Sequence, residues 1–380
     1  MRSCFALLVV GALVAAACSD ETTTSHPIGV SEAGSGMIPA ESDAGGVIDS
    51  GVDAGPQPLA ELPLRVDCLT GDIAFVVKVK IGTTEVDALV DTGSSGLRIV
   101  DGVVTATDLA SRSNTAVQAA YGSGTVVEGV VATANVSLGA LTTAAPIKLE
   151  IVTSAHCSAA KPGCPVANTS FDQFAFKGAA GGTYKAIIGV GMRNGPNSQQ
   201  VANPIAQLPM KPAYVIDIGA YGATTGVLRI GPTPVQVAGF KTITHPALPN
   251  GVALDNGVGA FDDRQMPVCI VNTTQSKTFC LDALFDCGNG TTDINASAAA
   301  GNGNIPVGNV VDVSLLTTLD PTSAPLGTYA VTVAAPPKAG LDKFVIAQDA
   351  SDIINIGTSV FFRFQVYLDQ ANGIEGVDPF

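Results

Sequence analysis

The sequence reads as an all-β protein of two related lobes, on three grounds. Its 380 residues exceed what one ordinary hydrophobic core encloses, so about two domains are expected. Glycine (42) and proline (23) are abundant and tryptophan is absent, a composition that suits many turns. An eight-residue segment, Asp87-Ala-Leu-Val-Asp-Thr-Gly-Ser94, returns as Asp282-Ala-Leu-Phe-Asp-Cys-Gly-Asn289 with five identical positions. A hydrophobic fraction of 46% against 14% charged residues excludes a wholly disordered chain. The net charge of -14, with no basic run, excludes a nucleic-acid-binding surface and an anionic-membrane-binding one, both of which need clustered cations.

Arg2 precedes an apolar stretch from Phe5 to Ala17, too short to span a bilayer but suited to the core of a secretory signal over residues 1–17. The stretch ends Val14-Ala15-Ala16-Ala17-Cys18, which resembles the lipobox of bacterial lipoproteins. That resemblance implies a lipid on Cys18 and, with Ser19 following, a place at the outer membrane or cell surface; ordinary cleavage to a periplasmic or secreted protein is the alternative. The lipid anchor is then the one expected contact with a membrane. Residues 18–60 carry seven acids (Asp20, Glu21, Glu32, Glu41, Asp43, Asp49, Asp53) and no Lys or Arg, and read as a solvated acidic linker. Two lobes are expected to follow, over 61–231 and 232–380.

Six cysteines remain beyond the signal, and in an exported chain they point to disulfides and not to metal. A turn centred on Thr274-Gln275 would set Cys269 and Cys280 opposite each other across an antiparallel hairpin, within bridging reach. Cys157 and Cys164 close a loop around Lys161-Pro162-Gly163. Cys68 and Cys287 are left unassigned.

Each copy of the repeat is an apolar strand that runs into an acid and then a glycine, the way a buried strand delivers a carboxylate to a tight loop. Farther along, each half has an apolar run into glycine: Ala186-Ile-Ile-Gly-Val-Gly191 and Ile353-Ile-Asn-Ile-Gly357.

These residues resemble the pepsin-like aspartic peptidases, whose two lobes each contribute one Asp-Thr/Ser-Gly loop to a site between them. Leu89-Val-Asp-Thr-Gly-Ser-Ser95 matches the family's first loop residue for residue. Tyr121-Gly122-Ser-Gly-Thr125 looks like the hairpin flap that covers substrate, Gly226 to Gly231 like the end of the first lobe, and Phe364 to Val377 like the last hairpin. The resemblance spans about residue 64 to 380. It implies an all-β, bilobal pepsin-like aspartic protease fold with pseudo-twofold related lobes and an exported endopeptidase that takes a peptide or protein substrate as a monomer, without cofactor or metal. Asp91 and Asp286 would carry catalysis by sharing one proton, a coupling for which aspartic proteases are themselves the standard illustration. Thr92 and Cys287 would tie the loops, Gly93 and Gly288 would donate backbone N–H groups to the acids, Ser94 and Asn289 would serve their outer oxygens, and Tyr121 and Gly122 would form the flap.

The pattern departs from the family at three places. Cys287 stands where a hydroxyl is usual, and because a thiol is a weak donor and acceptor a one-sided tie is expected. Asn289 replaces Ser or Thr. Gly96-Leu97-Arg98 stands where many relatives place a Trp that holds the flap tyrosine. The rival reading is therefore a catalytically weak or inactive homologue that keeps the cleft to bind peptide or protein at the cell surface. Serine hydrolysis is disfavoured because no Gly-x-Ser-x-Gly exists and the only histidines are His26, His156 and His245.

Overall fold

The computed structural model describes residues 59–69, 72–177, 184–195, 201–299 and 301–380. The signal over 1–17, the lipidation site Cys18 and nearly all of the acidic linker lie outside the described residues.

The described chain is almost entirely β. The first thirteen strands are β1 (Ala60–Leu69), β2 (Asp72–Ile81), β3 (Thr84–Asp91), β4 (Ser95–Val100), β5 (Ser111–Ala120), β6 (Thr125–Ala134), β7 (Val136–Leu138), β8 (Leu141–Thr142), β9 (Ile147–Cys157), β10 (Ala186–Val190), β11 (Ala213–Asp217), β12 (Thr225–Ile230) and β13 (Lys241–Thr244). They belong to one sheet. A second sheet holds β14 (Met266–Asn272), β15 (Lys277–Phe285), β16 (Thr292–Asn295), β17 (Gly303–Asn304), β18 (Val310–Leu316), β19 (Pro325–Thr332), β20 (Phe344–Ala347) and β21 (Ile353–Ile356). The chain then returns to the first sheet as the hairpin β22 (Phe364–Asp369) and β23 (Ile374–Pro379), which docks β22 on β11 with Tyr214 opposite Leu368.

One three-strand arrangement occurs in both sheets. β10 runs parallel to β3, with Gly189 level with Asp91, and antiparallel to β4. β21 runs parallel to β15, with Ile356 level with Phe285, and antiparallel to β16. All five residues of β10 are buried, as are the last four of β3. Strands covered on both faces read as near-continuous apolar runs, which is why these segments lack polar alternation. Where they end, the chain must turn, and both acids sit at that turn.

The main core is continuous across the two sheets: Phe75 of β2 meets Phe361 and Phe362 edge to face, at centroid separations of 5.9 and 5.7 Å. One loop and one hairpin are closed covalently. Cys157 is bonded to Cys164, and Cys269 to Cys280, the latter pair directly opposite each other in the β14–β15 ladder around the turn at 273–276. Among the described residues, no helix is long and apolar enough to cross a membrane.

Candidate active site

Asp91, at the end of β3, is buried and accepts hydrogen bonds from the Gly93 N–H (2.8 Å) and the Ser94 hydroxyl. Asp286 follows β15, and its Oδ2 accepts from Asn355 Nδ2 at 2.7 Å. The two carboxyls adjoin. A methyl group on Gly93 would stand 2.4 Å from Asp286 Cγ, and one on Gly288 would stand 2.5 Å from Asp91 Oδ1, so each loop passes its glycine across the other loop's acid. Any side chain at either glycine would fill the space the opposite carboxyl occupies. Burial, and then the charge of Asp91 beside it, push the Asp286 pKa well above the carboxylate range. Asp286 is therefore the member of the pair that holds a proton, while Asp91 has two donors suited to a carboxylate.

Thr92 and Cys287 lock the loops together beneath the acids. Thr92 Oγ1 donates to Phe285 O (2.7 Å) and accepts from Cys287 N–H (2.9 Å). Cys287 Sγ donates to Val90 O (3.2 Å) and accepts from Thr92 N–H (3.3 Å). The tie is reciprocal, which corrects the expectation of a one-sided one: sulfur's larger radius lets the thiol reach both backbone groups in the hydroxyl's place. Cys287 is a free thiol, and burial, with the Asp91 charge, pushes its pKa up.

Two further expectations for the second loop are corrected. Asn289 does not serve Asp286; its Nδ2 donates to Asp293 (2.8 Å) and its Oδ1 accepts from Thr291 N–H (3.2 Å), so the amide caps its own turn. Gly288 does not donate to Asp286, whose Oδ1 is buried without a hydrogen-bond partner. The donor to Asp286 is Asn355 on β21, a residue the sequence reading passed over. Its signal was present: it is the one polar residue in Ile353-Ile-Asn-Ile-Gly357.

Tyr121 and Gly122 sit at the turn joining β5 to β6. The Tyr121 ring packs edge to face on Phe176 at 6.3 Å, and its buried hydroxyl makes no hydrogen bond. Burial raises the Tyr121 pKa; Arg98 acts to lower it and Asp91 and Glu150 to raise it further, so the hydroxyl stands in the field of Asp91. Arg98, at the position after the first acid loop, is buried and level with Glu150 across the parallel β4–β9 pair. Its Nε lies 3.0 Å from Glu150 Oε2, and its Nη1 donates to Ser95 O at 2.9 Å. Glu150 is fully buried, and that burial pushes its pKa up to about 7 in spite of the adjacent guanidinium. A buried ion pair thus occupies the place beneath the tyrosine. The hairpin tip is also tied down, by Lys161 Nζ donating to Gly122 O (2.6 Å) and Ser158 N–H to Gly124 O (2.8 Å).

Among the described residues, no group of three or more His, Cys, Asp or Glu is placed to hold a metal ion. The site consists of two interacting carboxyls, each reached from a strand whose last residues are buried, with a reciprocal tie between their loops and the Tyr121 hairpin nearby. Residues 80–195 match a family model described as a protein of unknown function, DUF3443; the span runs from β2 through the Asp91 loop and the Tyr121 hairpin to just past β10, and stops short of Asp286. No curated protein matches the chain.

Proposed function

We propose that the chain is an exported aspartic endopeptidase with a bilobal pepsin-like fold, its lobes covering about residues 61–231 and 232–380, that hydrolyses peptide bonds with water. The observation that carries this reading is the meeting of Asp91 and Asp286, delivered by equivalent strands, with the Asp286 pKa raised by burial and by its partner. In the reaction, the neutral Asp286 hydrogen-bonds the scissile carbonyl oxygen and passes its proton to it while Asp91 takes a proton from the attacking water. The resulting tetrahedral diol collapses as the proton on Asp91 passes to the amide nitrogen, the C–N bond breaks, and Asp286 recovers its proton. Water supplies the oxygen and both hydrogens gained by the products, and no covalent acyl-enzyme forms. The buried Thr92–Cys287 tie supports this reading because it holds the carboxyls at one separation.

The test is incubation of the mature protein with a mixed peptide library from mildly acid to neutral pH, followed by mass spectrometry. Cleavage absent from Asp91→Asn and Asp286→Asn proteins supports the reading; no cleavage by the unmodified protein at any pH rejects it.

A second reading, a surface module that binds peptide without cleaving it, is favoured by the anchoring of the Tyr121 hairpin tip through Lys161 and Ser158, which opposes opening of the cover. Lys161→Ala separates the two: it raises the turnover already present in a tethered enzyme and leaves a binding module inactive.

A further inference from the structure

On the peptidase reading, we propose that the loop closed by the Cys157–Cys164 bridge is a clasp that positions the Tyr121 hairpin and limits its opening, with Lys161 as the gripping residue. The bridge lies beside the hairpin tip. Thr125, the first residue of β6, is level with Cys157, the last of β9, and Thr125 Oγ1 lies 3.8 Å from Cys164 Sγ. With the loop pinned at both ends by the bridge, the chain between them makes two successive turns: Lys161 N–H donates to Ser158 O (3.0 Å) and Cys164 N–H to Lys161 O (3.1 Å). These turns set Lys161 against the tip. Its stem runs along Gly124, where a methyl group would stand 2.4 Å from Lys161 Cβ and where φ is +91°, a conformation that glycine adopts freely. Lys161 Nζ then reaches Gly122 O, and Ser158 N–H reaches Gly124 O.

The tip needs such a partner. Thr125 opposite Cys157 is the last pair of the β6–β9 ladder, so residues 121–124 project past the third strand of the sheet. Their own turn is closed only by Tyr121 N–H donating to Thr125 O and Gly124 N–H to Tyr121 O, both 2.9 Å, and a two-stranded ribbon by itself is marginally stable in water. A free loop would lose backbone freedom each time it gripped the tip, whereas the bridge restricts the loop beforehand and presents Lys161 at lower entropic cost. The same ammonium faces the second half of the chain. Its charge acts on Asp293, the carboxyl that accepts from Asn289 of the second acid loop, and on Asp349. Lys161 is thus drawn toward the second acid loop while it grips the hairpin whose tyrosine feels Asp91 of the first.

The clasp is read by hydrogen–deuterium exchange of the amides in residues 119–126, followed by mass spectrometry, and by kcat and KM for a cleaved peptide. Lys161→Ala and Cys157→Ser/Cys164→Ser should each speed exchange at the tip by about fivefold, the scale of one exposed hydrogen bond to a charged group. Combining them should add little, because both remove the same grip. Lys161→Arg should recover at least part of the protection, and Cys269→Ser/Cys280→Ser, which opens the bridge of the second sheet, should leave the tip at the parental rate. In cleavage, a loosened hairpin should raise kcat and KM together, by releasing product sooner and covering substrate less, a pattern that a mere folding defect does not give. Parental exchange at the tip in Lys161→Ala, or effects of the two changes that simply add, overturns the proposal; should the serine protein fail to fold, Lys161→Ala decides alone. Exchange is measured without substrate, so the two readings fail separately. Faster exchange at the tip of a Lys161→Ala protein whose parent cleaves nothing keeps the clasp and rejects the peptidase, whereas cleavage by the parent with unchanged exchange in the variant rejects the clasp and keeps the peptidase.

Discussion

Around Asp91 the loop serves its own acid, through Gly93 N–H and the Ser94 hydroxyl; around Asp286 the corresponding residues turn away, and one amide from another strand, Asn355, takes their place. The strands beneath the two loops are nevertheless equivalent in direction and register. The comparison teaches that equal backbones can deliver two chemically unequal carboxyls. A carboxylate is stabilised by donors, and a neutral acid needs few, so the better-supplied Asp91 is suited to act as base and the poorly supplied, buried Asp286 to keep the proton. The asymmetry that the proposed roles of base and acid demand is built from side chains on a nearly symmetric frame.

The largest effect expected is on that division of labour. Asp286→Asn preserves shape and removes the titrating proton, and should lower kcat by about 10³-fold or more in a peptide-cleavage assay. Undiminished turnover would break the comparison at its base. Next comes the tie shared by both loops. Cys287→Val strands the Val90 carbonyl and the Thr92 N–H in the core and should cost about 2 to 3 kcal/mol in urea unfolding, whereas Cys287→Thr should stay within about 1 kcal/mol of the parent. In the folded parent the buried thiol should resist alkylation at neutral pH and react only on unfolding.

The ground behind the loops offers a third test. Asp263 Oδ2 accepts from Met192 N–H behind the first loop, and its pKa is raised to about 7. Its ordinary value is about 4, so the folded chain binds this proton more tightly than the unfolded one, and the stability so gained is full below about pH 4 and lost as pH rises through about 7. The thermal midpoint should therefore fall between pH 5 and pH 8, and less steeply in Asp263→Asn. The smallest effect concerns Asn355. Its hydrogen bond favours the ionised form of Asp286, so Asn355→Leu should raise the Asp286 pKa further and move the alkaline limb of activity up by about one pH unit. A limb that moves down would reverse the assignment of roles.

Much of this was legible in the sequence because it is local. Cys269 and Cys280 flank a turn with equal arms, so hairpin geometry alone brings them together. The all-β character follows from turn-rich composition and short apolar runs. Both acid loops announced themselves by repetition. Asn355 and Arg98 did not, because the meaning of one polar residue in an apolar strand depends on which strand lies alongside: β15 beside β21, and β9 beside β4. Asn289 was misjudged for the complementary reason. Its alignment with Ser94 was correct, but an asparagine can satisfy its own turn at short range, and in the second loop it does so.

By itself the sequence determined the elements whose physics acts within a few residues: apolar strands ending in Asp and Gly, a hairpin and a loop closed by cysteine pairs, a tyrosine at a turn. Only the tertiary structure decided which carboxyl keeps its proton, how a thiol can tie two loops, and that Asn355 meets Asp286. Those outcomes depend on burial and on charges brought together from positions nearly two hundred residues apart, and no local pattern encodes a distance that the chain must fold to create.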